Sequence, residues 1–423
     1  MTDSTHILEH LRCAAANRPL WIWGAGNQGR GIASVLQERG IPLDGFVDQA
    51  AERLATQVIG LPVVAPTAVL AVAAMQPRPF VIVASWFFEQ EIIEQLQAAG
   101  YVDSVDFIGY SRLKPVDYSV DIVGVCNLKC LACPRASRAP GPGKQGLMSL
   151  DTFRAVLDKI LAESPFVGNL QLYQWGEPVL HPQLPEIITY ARERGVLCAI
   201  SSNLNADVDY ARIIAARPEW LRISASGWGT AYEIAHTRGR WSQFLANLHE
   251  VASLRRALYP SMKIELYYHL YRHSVGEGLE QFRALCEELD LEWRPIPAYL
   301  ISLDDVLGYC EGRPLPEPAR QAVEQLIVNL DDGLAAAYQQ RQLACDVLRC
   351  VNINWDASVS QCMLYYDRAD NCVAANYLDI SLEQIQTQRH RAALCQRCAG
   401  FGLHRYCAAY AQMAIPTDRV KAS

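Results

Sequence analysis

The stretch Tyr118-Ser-Val-Asp-Ile-Val-Gly-Val-Cys126-Asn-Leu-Lys-Cys130-Leu-Ala-Cys133 decides how the rest of the chain is read. Its apolar, β-prone opening predicts a strand beginning near Val120. The loop after it carries three cysteines in the spacing C-x3-C-x2-C. Three thiolates on one loop can hold three irons of a [4Fe–4S] cube and leave the fourth open. An open iron can take a ligand through an amine and a carboxylate. The loop stands at the carboxyl end of its strand, where barrel enzymes place their chemistry. The competing reading is a zinc site, which prefers paired C-x2-C units and a fourth ligand.

Outward from this loop the chain alternates strands with helices. Downstream, strands are expected near Leu170, Val196, Trp220, Lys263 and Leu291, with helices near 150–164, 183–194, 208–216, 241–258 and 276–290. Six such units are too few for a closed eightfold barrel and fit an open, partial one. Upstream, Pro19–Trp23, Gly45–Asp48, Pro79–Ala84 and Val105–Ile108 read as strands, with helices ending at Gly40 and Gly100. That alternation predicts a parallel, Rossmann-like sheet. Lys114-Pro115 is the expected boundary, and Arg138-Ala-Pro-Gly-Pro-Gly143 a mobile loop. The expected fold class is α/β. A Rossmann-like domain spans 1–113, a partial (β/α)6 TIM barrel 117–300, a helical connector 301–344, and a cysteine-rich iron–sulfur domain 345–423.

Composition narrows the function. Over 423 residues, 38 Lys and Arg face 45 Asp and Glu, a net charge of −7 with the signs mixed. That argues against gripping nucleic acid or an anionic membrane. No apolar run approaches the roughly 18 residues that span a bilayer. Without a basic-then-apolar leader, a cytoplasmic location is expected. In a reducing compartment the fourteen cysteines read as metal or cluster ligands rather than disulfides.

With its triad, the chain resembles the radical S-adenosylmethionine enzymes, whose signature stands on the first loop of a partial barrel. The resemblance covers about residues 117–300. It implies that the open iron binds S-adenosylmethionine and that one-electron reduction gives a 5′-deoxyadenosyl radical. That radical takes hydrogen from a substrate. Trp175-Gly176-Glu177-Pro178 matches the family's Gly-Gly-Glu-Pro, with Trp175 replacing the first Gly, and implies contact with the methionine ammonium. Ser201-Ser202-Asn203 stands where the family contacts ribose and carboxylate. Ser224 and Ser226 resemble its Ser-x-Asp-Gly, with Ser226-Gly227 replacing Asp-Gly, and Arg238 its carboxylate-binding Arg. Ser and Asn are also ordinary caps at such turns. Ala132 departs from the aromatic residue that often covers adenine. An external donor such as flavodoxin or ferredoxin is implied as the electron source.

A second set, Cys345, Cys350, Cys362, Cys372, Cys395, Cys398 and Cys407, resembles the auxiliary-cluster tails called SPASM or, when shorter, twitch. The hairpin Ile353–Val359 would deliver Cys362. Cys398 is followed only by Cys407, so the full SPASM run is absent. The twitch form implies Cys345, Cys362, Cys395 and Cys398 around one further [4Fe–4S] cluster, for electron transfer or substrate shaping. Cys350 and Cys407 are rival ligands, and a structural zinc is the alternative. Cys13, Cys198 and Cys286 are expected as buried apolar residues.

Gly24-x-Gly26-x-x-Gly29 opens a helix, and Asp48 ends the next strand near the spacing of a ribose-binding acid. The order Gly24–Gly29, Val47-Asp48, Val81-Ile-Val-Ala-Ser85-Trp86 resembles the Rossmann-like domain of sugar C-methyltransferases. It implies a nucleotide-sugar or another phosphorylated handle; a docking domain with an unused turn is the other reading. The function expected is an oxidoreductase, isomerase or lyase working by radical chemistry on a carbohydrate-like or nucleotide-linked small molecule. The alternatives are a maturase of a ribosomal peptide and a non-enzymatic iron–sulfur sensor. Tyr268, His269, Tyr271 and His273, at the end of the fifth strand, are the candidates for moving a substrate proton; they equally suit polar rim or core positions.

Overall fold

The computed structural model describes residues 3–413 except 53, 55–56, 72–76, 86–87, 114, 138–145, 165 and 368. Lys114 at the expected boundary, Trp86 at the end of the third expected strand, and the 138–143 loop lie outside these residues. The chain forms two compact units. One takes 1–118, 154–170 and 189–198, and the other takes 119–153, 171–188 and 199–423.

The first unit contains a six-stranded sheet. Its strands are β1 (Leu20–Trp23), β2 (Gly45–Val47), β3 (Gln57–Val58), β4 (Leu61–Val64), β5 (Phe80–Val83) and β6 (Phe107–Ile108), in the order β3-β4-β2-β1-β5-β6. All pairs are parallel except β3–β4. The central strands β1 and β5 are near-continuous apolar runs because helices cover a parallel sheet on both faces. Leu20, Ile22 and all four residues of β5 are fully buried. The helix Asn27–Glu38 buries Ile32, Val35 and Leu36 and is followed by Gly40 at φ +67. The β3–β4 hairpin was not foreseen, since two residues carry no readable period. Nor was the helix Asp3–Asn17. Cys13 on that helix is exposed, against expectation, because the buried face there is Leu11 and Ala14. Cys198 and Cys286 are buried.

This unit does not stop at 113. Ser34 Oγ donates to the Gly195 carbonyl at 2.6 Å, and a Cβ on Gly31 would come within 2.8 Å of the Gly168 carbonyl. These close approaches tie 154–170 and 189–198 to the N-terminal sheet. A reading by composition alone places the break at a proline and misses such packing.

The second sheet has nine strands in the order β12-β11-β10-β9-β8-β7-β13-β14-β15. They are β7 (Val116–Val120), β8 (Val167–Gln171), β9 (Cys198–Ser202), β10 (Trp220–Ala225), β11 (Lys263–Leu270), β12 (Glu292–Pro297), β13 (Cys350–Ile353), β14 (Val359–Ser360) and β15 (Cys372–Ala374). From β7 to β12 spatial order follows chain order, and β9 to β12 pair in parallel. Helices Leu150–Glu163, Leu184–Glu193, Tyr210–Ala215, Trp241–Leu258 and Glu277–Leu289 alternate with these strands. β13 and β14 form the expected antiparallel hairpin, with Ile353 opposite Val359.

The period of two along β10 and β11 sorts their side chains. Leu221, Ile223 and Ala225 and, on β11, Ile264, Leu266, Tyr268 and Leu270 are buried on one face. Burying each such large side chain is worth about 1.5–3 kcal/mol. Arg222 and Ser224, with Glu265, Tyr267 and His269, occupy the other face, Arg222 opposite Glu265 and Ser224 opposite Tyr267. That polar face lies in the same compact unit as the cysteine loop.

Candidate active site around the cysteine loop

Four backbone and side-chain ties fix the loop that follows β7. Asp121, buried, accepts the amides of Gln174 (3.1 Å) and Gly176 (3.3 Å) on Oδ1 and that of Trp175 (3.0 Å) on Oδ2. Burial raises the pKa of this carboxyl, and the three amides oppose the rise. The Glu177 amide donates to the Val125 carbonyl at 2.9 Å. A Cβ on Gly176 would lie 1.6 Å from the Val123 carbonyl, so only glycine permits this approach. Arg135 donates from Nε to the Trp175 carbonyl (2.6 Å) and from Nη2 to that of Gly124 (2.7 Å). The Cys126–Cys133 loop and the Trp175–Pro178 segment are thereby held as one piece.

Glu177 is buried. Its Oε2 accepts the Asn203 amide at 2.9 Å, while Oε1 is buried with no hydrogen-bond partner among the described residues. Burial pushes the carboxyl up to about 7, against the opposing effect of the Asn203 amide, the Ser202 hydroxyl and the Val179 amide. Asn203 Nδ2 reaches Asn127 Oδ1 at 3.0 Å and lies 3.8 Å from Cys126 Sγ. Ser202 Oγ accepts the Leu204 amide, and Leu204 takes φ +49. Ser201 is half-buried on β9. Cys130 Sγ stands 3.4 Å from His236 Nδ1, and the amides of Lys129 and Leu131 donate to Thr237 and Ala235. Burial holds His236 neutral, at about 4. It also raises all three triad thiols, Cys126 to about 12. The protons that keep them neutral leave when metal binds.

Several expected site residues are placed differently from one another. Tyr268 belongs to the core: it donates to the Ser274 carbonyl at 2.6 Å and packs against Phe282 and Trp293. His269 is on the opposite, polar face, with Nδ1 3.2 Å from Ser226 Oγ. Tyr271 is buried against the loop, its pKa raised by burial and by Cys130 and Cys133, with the Ala132 backbone against its hydroxyl. His273 stacks on Tyr271 at 5.3 Å and bonds Gln325 at 3.0 Å. Ser224 is half-buried on the polar face. Arg238 is exposed at φ +74 and makes no hydrogen bond among the described residues. Asp121, Arg135, Asn127 and His236 were not foreseen; an acid inside the apolar run Val120–Val125 was the one available signal.

In the C-terminal part, Cys345, Cys362, Cys395 and Cys398 line one cavity of about 320 Å3. Arg389 is fully buried beside it, donating to the carbonyls of Gln361, Val347, Leu348 and Cys350 at 2.6–3.3 Å. Among the described residues it makes no ion pair with a carboxylate. A buried cation facing four thiols and no acid suits a site that becomes anionic when loaded. Burial raises Cys345, Cys362 and, to about 12, Cys398. Cys350 does not line this cavity; Cys407 pairs with Tyr299, and Cys372 is exposed. Among the described residues no three His, Cys, Asp or Glu are gathered tightly enough for a single metal ion. A four-iron cube needs its thiolates wider apart than one ion does.

In the first unit the Gly24–Gly29 turn is built by packing. A Cβ on Gly29 would lie 1.8 Å from the Gly24 carbonyl. Asp48 Oδ2 accepts the Ala25 amide and Oδ1 that of Ala50, both at 2.9 Å, so this acid ties the turn to β2. Gly26 has open space around it.

No family model matches the chain. It is 33% identical over 78 residues to Fe-coproporphyrin III synthase of Methanosarcina barkeri, 18% of each chain. It is 32% identical over 85 residues to AdoMet-dependent heme synthase of Nitratidesulfovibrio vulgaris, 20% of this chain and 21% of that one. The chain thus matches about a fifth of the length of these curated relatives. Among solved structures it is similar to native anSMEcpe with bound AdoMet, at TM-score 0.45 and 13% identity, over 71% of this chain and 92% of that one. Over these stretches the chain is similar to curated proteins, one of which is named as AdoMet-dependent. The cofactors that the resemblance to radical S-adenosylmethionine enzymes implies are a [4Fe–4S] cluster with an open iron and S-adenosylmethionine. The residues present fit both. Three thiols share one rigid loop, and an unpartnered carboxylate oxygen is buried in the wall bonded to it. Among the described residues no helix is long and apolar enough to cross a membrane.

Proposed function

We propose that this chain is a radical S-adenosylmethionine enzyme acting on a small organic molecule. Cys126, Cys130 and Cys133 would hold the cluster. When bound, the cluster and S-adenosylmethionine supply a 5′-deoxyadenosyl radical that takes a hydrogen atom from carbon. Glu177 Oε1 would accept the methionine ammonium, which makes good its missing partner. Asp121 and Arg135 keep the Trp175–Pro178 segment, and with it Glu177, at a fixed distance from the loop. Asn127 and Asn203, bonded to each other, join the loop to the end of β9. Ser201, Ser202 and Ser224 stand at strand ends where the nucleoside and the methionine carboxylate would lie. Tyr271, buried against Ala132, puts an aromatic ring where the loop itself lacks one.

Cys345, Cys362, Cys395 and Cys398 would hold an auxiliary [4Fe–4S] cluster, with Arg389 offsetting its charge. Four protein ligands leave no open iron, so this cluster passes electrons or shapes the substrate site. The substrate reading that suits the polar face of β10 and β11 is a hydroxylated, carbohydrate-like molecule, with His269 and Ser226 paired to exchange a proton with it. A nucleotide-linked form gains no support from Asp48, whose oxygens are both taken by backbone amides.

The buried, unpartnered Glu177 Oε1 carries the reading. Its test is anaerobic incubation of reconstituted protein with dithionite and S-adenosylmethionine. Release of 5′-deoxyadenosine supports the enzyme. Its absence from a protein carrying the cluster contradicts it and leaves the sensor reading.

A further inference from the structure

The polar face of β10 and β11 contains a cation, Arg222, that its surroundings satisfy only in part: it hydrogen-bonds Tyr173 but keeps one buried N–H unbonded. Arg222 lies with its guanidinium carbon 4.0 Å over the Tyr267 ring. Its Nε is buried and has no hydrogen-bond partner among the described residues. The acid opposite it in register, Glu265, is engaged by other cations, although its Oε1 forms no hydrogen bond among the described residues. That carboxylate pairs with Arg294 on Oε1, and on Oε2 it meets Lys263 at 4.0 Å and accepts the Tyr267 hydroxyl at 3.1 Å. Among the described residues Arg222 makes no ion pair. Lys263 also pairs with Glu292 at 3.5 Å, so among the described residues Arg222 is the cation of this face left without an ion pair. A guanidinium cannot shed its proton, and a buried N–H left unbonded is costly.

Apart from Glu265, the groups around Arg222 named here are neutral and can hydrogen-bond. Tyr173 lies against the guanidinium, which opposes the rise that burial imposes on the phenol. Ser224 is the next residue of β10 on this face. His269 beyond it is kept neutral chiefly by burial and feels both Arg222 and His236. His236 in turn touches Cys130. Arg222 thus stands at one end of a line of side chains whose other end is the cysteine loop.

We propose that Arg222 anchors an oxyanion of the substrate, a carboxylate or a phosphate, and so orients the reacting carbon toward the triad. The proposal rests on the enzyme reading above and narrows its substrate to an acid or a phosphate ester. A planar fork with a free Nε–H suits two-point binding of such a group, and the Tyr267 ring fixes the fork's plane. Tyr173 and Ser224 can donate to the remaining oxygens.

The test uses the anaerobic holoenzyme, with inorganic phosphate and succinate as separate probes. Phenylglyoxal labels arginines, and mass spectrometry reads the rate at Arg222. At least one probe should slow labelling of Arg222 by about tenfold, while sodium chloride of equal ionic strength should not. The stronger probe tells phosphate from carboxylate. By calorimetry, Arg222→Gln should weaken that probe by about tenfold or more, and Arg222→Lys less. The spectral response to S-adenosylmethionine should persist in both variants. Labelling unaffected by either probe, or equal binding by wild type and Arg222→Gln, overturns the proposal. If instead the wild type ignores S-adenosylmethionine while Arg222 is still protected, the enzyme reading fails and the oxyanion site stands.

Discussion

Glu177 and Asn203 share one hydrogen bond of 2.9 Å, and it uses only one of the two carboxylate oxygens. The bond holds the side chain in place, and the other oxygen is buried without a hydrogen-bond partner among the described residues. A buried carboxylate so disposed is unfavourable by itself, which burial's effect on its pKa expresses. It makes sense as half of an interaction completed by a cationic ligand.

Glu177→Gln keeps the shape and the acceptor for Asn203 but removes the charge. A charge-assisted hydrogen bond is worth about 1.5–3 kcal/mol, so affinity for S-adenosylmethionine should fall about 10- to 100-fold. Titration of the reduced cluster's EPR signal with S-adenosylmethionine measures it. Iron content should not change, since Glu177 is not an expected ligand.

Asp121→Ala removes the acceptor for three amides at once. Leaving buried donors unpaired costs about 1–3 kcal/mol each, so about 3 kcal/mol or more of stability should be lost. Urea unfolding of the metal-free protein reports the loss. Asp121→Asn keeps one acceptor oxygen and should fall between.

Cys395→Ala should remove the auxiliary cluster alone. Iron per chain should drop from about eight to about four, with the response to S-adenosylmethionine retained. An unchanged iron count would take Cys395 out of the ligand set and bring Cys407 or Cys350 into it.

His269 predicts a pH dependence. Burial lowers its pKa from 6.5 to about 3, so the folded chain keeps it neutral. Below pH 6.5 the unfolded chain takes up a proton that the folded chain refuses. The stabilising contribution is complete above 6.5 and is lost as the pH falls toward 3. One such group steepens the fall by at most about 1.4 kcal/mol per pH unit. Urea midpoints for wild type and His269→Gln between pH 7 and pH 5 should converge as the pH drops. Parallel curves would mean that His269 titrates normally.

The triad, Trp175–Pro178 and the four-cysteine set were legible because chemistry fixes their residue types and short spacings. Asp121, Arg135 and Arg389 were not. Their partners are backbone groups, several of them distant in the chain: Gln174 is 53 positions from Asp121, and Arg135 is 40 from Trp175. No pattern marks a side chain that bonds a distant carbonyl. Tyr268 and His269 show another limit. A period of two says that neighbours face opposite ways, but only packing against the Glu277–Leu289 helix assigns Tyr268 to the core. Asp48 fits the spacing of a ribose ligand, yet it serves the backbone of its own turn.

The central claim is an iron left open by a three-thiolate loop. It is tested most directly by the EPR spectrum of the reduced, reconstituted protein with and without S-adenosylmethionine, in wild type, Cys395→Ala and Cys126→Ala. The account predicts a signal that shifts on addition in wild type and Cys395→Ala, and no such response in Cys126→Ala. A wild-type signal indifferent to S-adenosylmethionine would contradict it.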